Sequence, residues 1–369
     1  MQFVSITMLK DILPKRVMDQ VEKILEGDDE YERNEAGIYV PSEVEETADD
    51  IYVENKRLSS DAKAAITREV KEYMADKEKQ IKKYTKELGE ITPSKSPHYS
   101  EGKQDVVFHR SDDHFGDVVK DSSGKVIYNT EICTDQIEQY FNKALTYIDE
   151  HDKDVENAYL LLGGDIVTNE AIYDGQAHDI EATIDKQIEA ATGAYMNAIN
   201  TLSEEFDHVK VVAQGGNHGE FRVKGSSNHA NADDLLYNEL HNIVKWSGID
   251  NVSFVMSDRS DHVNFDMRGH KGHLRHGDNV NNHIGTSSPE STWRAFLNRY
   301  EFDIAYRGHY HEKKMEDVQG RPVMMAPSQK PAGDFEGTIG AFGRPGGYFH
   351  FVSDDEPLEE IKLVYHDDK

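Results

Sequence analysis

The sequence predicts an α/β protein in which helices cover a core of two β-sheet layers. Three observations support this prediction. From residue 105 onward, short apolar runs typical of strands alternate with longer amphipathic segments typical of helices. Apolar runs near the carboxyl end flank the turn sequences QGRP and DDEP, as the strands of β-hairpins do. Short polar motifs follow several strands, at the edge where α/β sheets bind ligands.

Residues 1–97 are predicted to form a mostly helical accessory domain with its linker. Apolar residues recur at helical spacing over 6–13, 17–25 and 61–88, and GIYV at 37–40 is strand-like. The segment 28–50 holds ten acids and one base, which is typical of an exposed connector. Helix, turn, helix and strand leave two interpretations open, a winged-helix DNA-binding domain and a small helical interaction domain.

Residues 98–369 are predicted to form the second domain, and its elements follow from apolar periodicity and turn signals. The first strand, 105–109, precedes a helix over 134–150. Two further buried strands, within 158–162 and 209–213, flank a long helix over 179–206. The remaining helices are predicted at 233–246 and 289–300, the latter with Ser288 as its cap and Pro289 in its first turn. The remaining strands are predicted at 252–256, 262–267, 270–275, 302–306, 313–317, 322–325, 347–353 and 361–365.

The charge balance restricts the partners of this protein. Seventy acidic against 41 basic residues give a net charge of −29, which argues against a broad non-specific nucleic-acid surface. A phosphate-bearing substrate remains compatible with this charge, because bound divalent cations would reverse the local field in a cleft. The acidity is also compatible with adaptation to high salt.

Cysteine usage and hydropathy restrict the chemistry and the location. Cys133 is the single cysteine, so it cannot form an intramolecular disulfide or a cysteine-based metal site by itself. A metal ion would be held by His, Asp, Asn or Glu, which favours Mn, Fe, Zn or Mg. The sequence lacks an apolar run of about 20 residues and a signal peptide, so we expect a cytoplasmic protein that does not contact membranes.

Five short motifs stand at the ends of predicted strands. Each alone has an ordinary interpretation as a turn or loop, but together they bring carboxylates, a carboxamide and imidazoles to one sheet edge. In an extended chain the side chains of His309 and His311 would point the same way, because they are two residues apart. The motifs are Asp112-Asp113-His114, Gly164-Asp165, Gly216-Asn217-His218, His276-Gly277-Asp278 and Gly308-His309-Tyr310-His311.

The order and content of these motifs closely resemble the calcineurin-like metallophosphoesterase family, and in particular nuclease-like members found in phages and archaeal viruses. The family pattern is Asp-x-His, Gly-Asp, Gly-Asn-His, His and then Gly-His-x-His, and the resemblance covers residues 105–328. It implies a four-layer αββα sandwich with a two-metal centre, which we expect to hold Mn, with Fe, Zn or Mg as alternatives.

The resemblance also implies which residues bind each metal ion. Asp165 would be the ligand shared by both ions, and His218 would be an uncoordinated imidazole facing the scissile phosphate. The first ion would take Asp112, His114, Asp165 and His311. The second ion would take Asp165, Asn217, His276 and His309.

Elementary chemistry agrees with this assignment. Two cations about 3.5 to 4 Å apart can hold a bridging hydroxide as the nucleophile and stabilise both sides of an in-line displacement. A serine or cysteine nucleophile is then unnecessary. His218 would stabilise charge or protonate the leaving oxygen, a contribution of about 10²- to 10⁴-fold.

Two motifs depart from the family pattern. After Gly164-Asp165 the chain offers only Thr168 or Asn169 as the polar residue that assists substrate binding. Gly219 then Glu220 follow His218, where an acidic residue usually comes at once.

Three further residues are candidates near the centre. Asp278 is predicted to orient the imidazole of His276 from outside the ligand set. Arg222 and Lys224 are the candidates for contacts with phosphate or nucleic acid, with a solvated loop as the alternative.

Our leading hypothesis is a hydrolase acting on phosphodiester bonds, most specifically a DNA exonuclease-like or oligonucleotide phosphodiesterase. The alternatives are a phosphomonoesterase or nucleotide phosphatase, and a metal-binding scaffold without turnover. The N-terminal domain would position nucleic acid, form a homo-oligomer or bind a partner protein. If the protein is viral, its location would be the host cytoplasm.

Overall fold

The structure is a computed structural model of the 369 residues of the chain. The structure describes residues 31–33, 39–41, 97–170, 172–173, 176, 179–222, 230–257, 260–280, 289–331 and 344–366. Within these residues, no helix combines the length and the apolar character needed to cross a membrane. The predicted N-terminal helices lie outside the described residues, and so does Ser288.

The chain divides into two compact units, and the smaller one contains Met1–Glu90 and Phe221–Asn228. The described part of this unit includes an antiparallel pair of strands, β1 (Tyr31–Arg33) and β2 (Tyr39–Pro41). The second strand overlaps the predicted GIYV strand. The first lies in the segment that we predicted as a connector, so that prediction was wrong for Tyr31–Arg33. The domain boundary after residue 97 stays a prediction.

The larger unit, Ile91–Glu220 with His229–Lys369, contains a six-stranded sheet with strand order β15-β14-β3-β6-β7-β8. Strands β3, β6, β7 and β8 run parallel, whereas β14 and β15 form an antiparallel edge. Its strands are β3 (Gln104–Arg110), β6 (Val155–Leu162), β7 (His208–Ala213), β8 (Val252–Met256), β14 (Gly346–Val352) and β15 (Ile361–Tyr365).

The second sheet of this unit has five strands in the order β12-β13-β11-β10-β9. Strand β11 pairs in parallel with both β10 and β13, and the two outer strands are antiparallel. Its strands are β9 (Val263–Met267), β10 (His270–Leu274), β11 (Ile304–Arg307), β12 (Lys314–Val318) and β13 (Arg321–Met325). A small hairpin, β4 (Val119–Lys120) and β5 (Val126–Tyr128), was not predicted.

Alternating side chains of the strands pack the two sheets face to face and bind helices on their outer faces. In β3, Val107 faces the inter-sheet core while Phe108 packs against Phe141 of a helix, with ring centroids 5.5 Å apart. In β11, Ile304 lies in the inter-sheet core and Ala305 in the cluster around Trp293. The predicted four-layer αββα sandwich is therefore confirmed. The helices are α1 (Thr130–Glu150), α2 (Ile184–Glu205), α3 (Ala232–Ser247) and α4 (Pro289–Tyr300).

Two helix starts differ from the predicted ones for local reasons. Helix α1 begins four residues early because the side chain of Asn129 caps it, accepting a hydrogen bond from Ile132 N at 3.0 Å. Helix α2 begins late because the residues before it pair with the loop after β3. Val118 N donates to Asp179 O at 2.7 Å, and Glu181 N donates to Gly116 O at 2.9 Å.

The two tryptophans give a matched test of the outer layer. Trp293 of α4 is fully buried and packs against Phe296 and Phe302, whereas Trp246 at the end of α3 is 65% exposed. We expect Trp293→Ala to lower the free energy of unfolding by about 3–5 kcal/mol, because it leaves a large cavity. Trp246→Ala should change it by less than about 0.5 kcal/mol. Urea unfolding followed by circular dichroism checks both values, and equal losses would contradict the packing described here.

Candidate metal centre

The carboxyl ends of β3, β6, β7, β10 and β11 carry all seven predicted metal ligands. Parallel pairing within each sheet brings these strand ends to one edge. Two hydrogen-bonded links then join the sheets there. His309 N, after β11, donates to both carboxylate oxygens of Asp112 at 3.0 Å. His276 Nδ1, after β10, lies 2.9 Å from Gly163 O, after β6.

The first candidate site contains Asp112, His114 and His311. Their ligand atoms lie within 4.8 Å of one another. The Nε2 atoms of the two histidines are 3.0 Å apart, and His311 Nε2 is 3.5 Å from Asp112 Oδ1. Two Nε2 atoms at this distance require either a proton or a cation between them.

The second candidate site contains Asp165, His276 and His309, with Asn217 beside them. His276 Nε2 lies 3.0 Å from both Asp165 Oδ2 and Asn217 Oδ1. Because a carbonyl oxygen only accepts, the contact with Gly163 O requires a proton on His276 Nδ1. With Nδ1 occupied in this way, Nε2 is the nitrogen that faces the two oxygens and that a cation would take, as in a metal-ligating histidine.

These donors fit two divalent cations. Cis ligands that are each about 2.1 Å from one ion lie about 3 Å apart, which matches the spacings at both sites. Asp165 also forms a group with His114 and His218, so its carboxylate lies next to both candidate sites. Cys133 is buried, with its Sγ 3.7 Å from Asp113 O, and it belongs to none of the candidate metal groups among the described residues. The donors are therefore nitrogen and oxygen, and the predicted preference for Mn stays a prediction.

The protonation states at this edge suit cation binding. Burial raises the pKa of Asp165, but the charges of His276 and His218 outweigh it and hold that pKa well below its usual range. Burial lowers the pKa of His114 well below its usual value and lowers that of His309 to about 4. Burial also lowers the pKa of His276, but Asp165 more than compensates and raises it to about 10. A cation would replace the proton shared by His276 and Asp165.

Backbone conformation places the ligands as much as strand direction does. Non-glycine residues with positive φ cost about 1–3 kcal/mol each and persist only where surrounding contacts impose them. His309 and His311 are among these residues, so the expectation that they lie on extended chain was wrong. Their imidazoles reach different sites because the chain turns after Arg307. Five of the seven predicted ligands have positive φ: Asp112 (58°), His114 (51°), Asp165 (53°), His309 (76°) and His311 (57°).

Glycines let the ligand loops approach each other. A Cβ on Gly164, whose φ is +91°, would lie 2.5 Å from the backbone nitrogen of Gly216. A Cβ on Gly216 would collide with the carboxylate of Asp165. Backbone therefore packs on backbone between the Asp165 loop and the Asn217 loop, which only glycine allows.

His218, the predicted proton donor, lies beside the first site. Its ring centroid is 4.6 Å from that of His114, and its backbone N donates to Asp165 Oδ1 at 2.7 Å. His218 Nδ1 lies 3.3 Å from Thr168 O, so this nitrogen carries a proton and Nε2 is the atom that can exchange one. The ligand atoms of His218, His114 and Asp165 lie within 4.8 Å of one another, so His218 could also bind a cation. Its role as an uncoordinated imidazole therefore stays a prediction.

Other predicted residues are placed as follows. Asp278 is exposed, and the hydrogen-bond acceptor at His276 Nδ1 is the Gly163 carbonyl. Arg222 is exposed, and Lys224 lies outside the described residues. Thr168 and Asn169 are both buried and stabilise loops. Thr168 donates to Asp117 at 2.9 Å, and Asn169 Nδ2 donates to His218 O at 2.9 Å.

Three residues near the centre were missed in the sequence. Asp233, in the first turn of α3, accepts hydrogen bonds from the loops of Asp165 and Gly216. Lys330 pairs with Asp117 at 2.8 Å, and its charge lowers the pKa of His114. Tyr173 is 40% exposed, with its ring 6.3 Å from that of His218. None of the three lies in a motif. Lys330 follows β13, and this position becomes a signal only once the pairing of β13 with β11 is known.

The chain resembles several solved structures at low identity. No family model and no curated protein matches the sequence. Vacuolar protein sorting 29 from Cryptosporidium parvum is 13% identical over 71% of this chain and 96% of its own, with a TM-score of 0.32. An archaeal phosphodiesterase is 12% identical over 70% of this chain and 99% of its own, with a TM-score of 0.33. A hypothetical protein from Pyrococcus horikoshii is 12% identical over 72% and 88%, with a TM-score of 0.36.

These similarities are too low to carry an argument about function. The interpretation of the site therefore depends on its own residues.

Metal counting on histidine variants tests the division into two sites. We expect His309→Ala and His311→Ala each to lose about one equivalent of bound divalent ion, and the double variant to lose both. His114→Ala combined with His311→Ala should lose only one equivalent, because both residues belong to the same candidate site. Elemental analysis after dialysis against Mn²⁺ gives the stoichiometry.

Exposed His151 provides the control, since His151→Ala should leave metal content unchanged. The division into two sites is wrong if the His114 and His311 double variant loses two equivalents.

Proposed function

We propose that this protein is a two-metal-dependent phosphoesterase that hydrolyses phosphodiester bonds, with a site of the calcineurin-like type. One observation carries the proposal. The buried carboxylate of Asp165 belongs to two adjacent groups of ligand atoms, one with His276 and His309 and one with His114 and His218. A carboxylate in this position can be shared by two cations, which together can stabilise the attacking and leaving oxygens of an in-line displacement at phosphorus.

The residues of this site would have different roles in the reaction. Bound cations would neutralise phosphate charge and lower the pKa of a water molecule, which would serve as the nucleophile. Asp112 and Asp165 fix the positions of the histidines around them through short contacts. His218 holds its Nδ1 proton on Thr168 O and offers Nε2 as the proton donor to the leaving oxygen.

Within this class we propose DNA or an oligonucleotide as the substrate. Tyr173 offers an exposed aromatic face beside His218, on which a nucleobase can stack. Lys330 supplies positive charge near His114 in a chain of net charge −29. The viral origin and the role of residues 1–97 in binding nucleic acid, a second copy or a partner protein belong to the same proposal.

Activity assays on two variants test the proposal. The Mn²⁺-loaded protein should cleave linear DNA or bis-p-nitrophenyl phosphate faster than mono-p-nitrophenyl phosphate. His218→Ala should lower kcat by about 10²- to 10⁴-fold and keep both metal ions, because it removes a proton donor. Asp165→Asn should lose metal ions and turnover together. The assays combine initial rates with metal analysis on the same preparations.

His151→Ala serves as the unaffected control. Cleavage of the monoester alone would favour the phosphatase alternative, and bound metal without any turnover would favour the scaffold. Wild-type rates in both variants would refute the mechanism. Circular DNA as a second substrate separates exonuclease from endonuclease activity.

Substitution of Lys330 tests how the substrate phosphate is recognised. Lys330→Met should lower kcat/KM for the diester by about 10- to 100-fold, because a charged hydrogen bond is worth about 1.5–3 kcal/mol. Lys330→Arg should keep most of the activity, since it preserves the charge. Steady-state kinetics at several salt concentrations gives both values.

Arg222→Met is the matched comparison, because Arg222 was the basic residue predicted from the sequence. If Arg222→Met lowers kcat/KM for the diester more than Lys330→Met does, Arg222 rather than Lys330 recognises the substrate phosphate. Unfolding curves for Lys330→Met are needed alongside, because Asp117 and Lys330 are both largely buried.

A further inference from the structure

The carboxylate of Asp233 connects two loops of the candidate metal centre. Asp233 is fully buried in the first turn of α3 and belongs to none of the candidate metal groups found among the described residues. Its Oδ2 accepts hydrogen bonds from Asp165 N and Gly216 N, both at 2.9 Å. Its Oδ1 accepts from Ile166 N at 3.1 Å and Val167 N at 3.2 Å. One side chain thus binds four backbone N–H groups.

We propose that Asp233 is a positioning residue that fixes the distance between Asp165 and Asn217. This inference rests on the proposed function, in which both residues bind the second cation. Asp165 follows β6 and Asn217 follows β7, and each loop has glycines that give the backbone freedom. Asp233 removes that freedom by binding the backbone of both loops at once.

The chemistry of this position requires a carboxylate. Four N–H groups need four acceptor positions, and an ionised carboxylate offers about four lone pairs and no donor. An amide would present one oxygen to two of the N–H groups and its own NH₂ to the other two. Asparagine has nearly the same shape, so it removes the acceptors without leaving a large cavity.

Neighbouring contacts fix the same turn of α3 to the Asn217 loop. Asn231 accepts from Asp233 N at 2.9 Å and donates to Gly216 O at 2.8 Å. Ala232 N donates to Gly219 O at 2.7 Å, and Tyr237 donates to Gln214 O at 3.1 Å. The start of α3 therefore hydrogen-bonds to the Asn217 loop at several points. Asp233 adds a hydrogen bond to the backbone of Asp165.

The consequence for the metal centre follows from the short contacts of Asp165. Its Oδ1 accepts from His218 N at 2.7 Å, and its Oδ2 lies 3.0 Å from His276 Nε2. A shift of the Asp165 backbone would change both distances. Loss of a group that orients a metal ligand typically weakens metal affinity about 10- to 100-fold.

Asp233→Asn in the full chain tests the proposal with two measurements. In metal-free protein, hydrogen exchange should become faster at the amides of Asp165, Ile166, Val167 and Gly216, which lose their acceptor. By calorimetric titration, Mn²⁺ affinity should fall about 10- to 100-fold. Excess Mn²⁺ should restore much of kcat, which a misfolded site would not allow.

Asp105→Asn is the matched control. Asp105 is equally buried, but its partners are Arg268 and Asn157 at the amino-terminal end of β3. We expect it to lower stability and leave Mn²⁺ affinity unchanged. If Asp233→Asn does not fold, Asn231→Ser replaces it. Serine still caps the helix but is too short to reach Gly216 O, so affinity should fall about 10-fold.

The outcomes separate the two proposals. Wild-type exchange and wild-type Mn²⁺ affinity in Asp233→Asn, or in Asn231→Ser where that variant is used, would overturn the positioning role. A wild-type protein that binds no divalent cation would instead overturn the proposed function. Faster exchange in the variant with unchanged Mn²⁺ affinity would also contradict the proposal. Asp233 would then stabilise the loops but would not position the metal ligands.

Discussion

The candidate centre depends on two buried carboxylates held close together. Asp112 and Asp165 are both buried, and each raises the cost of ionising the other. Their pKa values nevertheless stay below the usual range. The hydrogen bond with His311 and the charge of His276 lower the pKa of Asp112, and the charges of His276 and His218 lower that of Asp165. Burying like charges is unfavourable unless positive charge compensates for it. Divalent cations would compensate better than protons, and the surrounding nitrogen and oxygen atoms fit that role.

The sandwich brings the imidazoles next to these two carboxylates by joining two sheets at one edge. The six-stranded sheet contributes the carboxylates, His114 and Asn217, and the five-stranded sheet contributes His276, His309 and His311. The hydrogen bonds from His309 N to Asp112 and between His276 Nδ1 and Gly163 O bridge the two sheets. Packing of the inter-sheet core, from Val107 on one side to Ile304 on the other, therefore sets the ligand geometry. The positive-φ residues are tolerated because these contacts hold them.

Local patterns predicted most of the fold, and their errors have identifiable causes. Short apolar runs located the strands of both sheets to within a few residues, because strands buried on both faces need apolar residues on both. The start of α2 was wrong because residues 179–181 pair with the loop after β3, a contact between distant segments. The hairpin of β4 and β5 was missed because it is only a few residues long. The strand Tyr31–Arg33 was missed because its acidic composition is typical of an exposed connector.

The sequence by itself determined which residue types meet at the strand ends, because each ligand lies in a short motif directly after an apolar strand. Only the tertiary structure decided how they combine. His309 and His311 are neighbours in the chain, yet left-handed backbone turns send them to different groups. Asp233 and Lys330 have no motif, because their roles depend on α3 and on the parallel pairing of β13 with β11. Long-range pairing leaves no local trace, so such residues become visible only when the sheets are assembled.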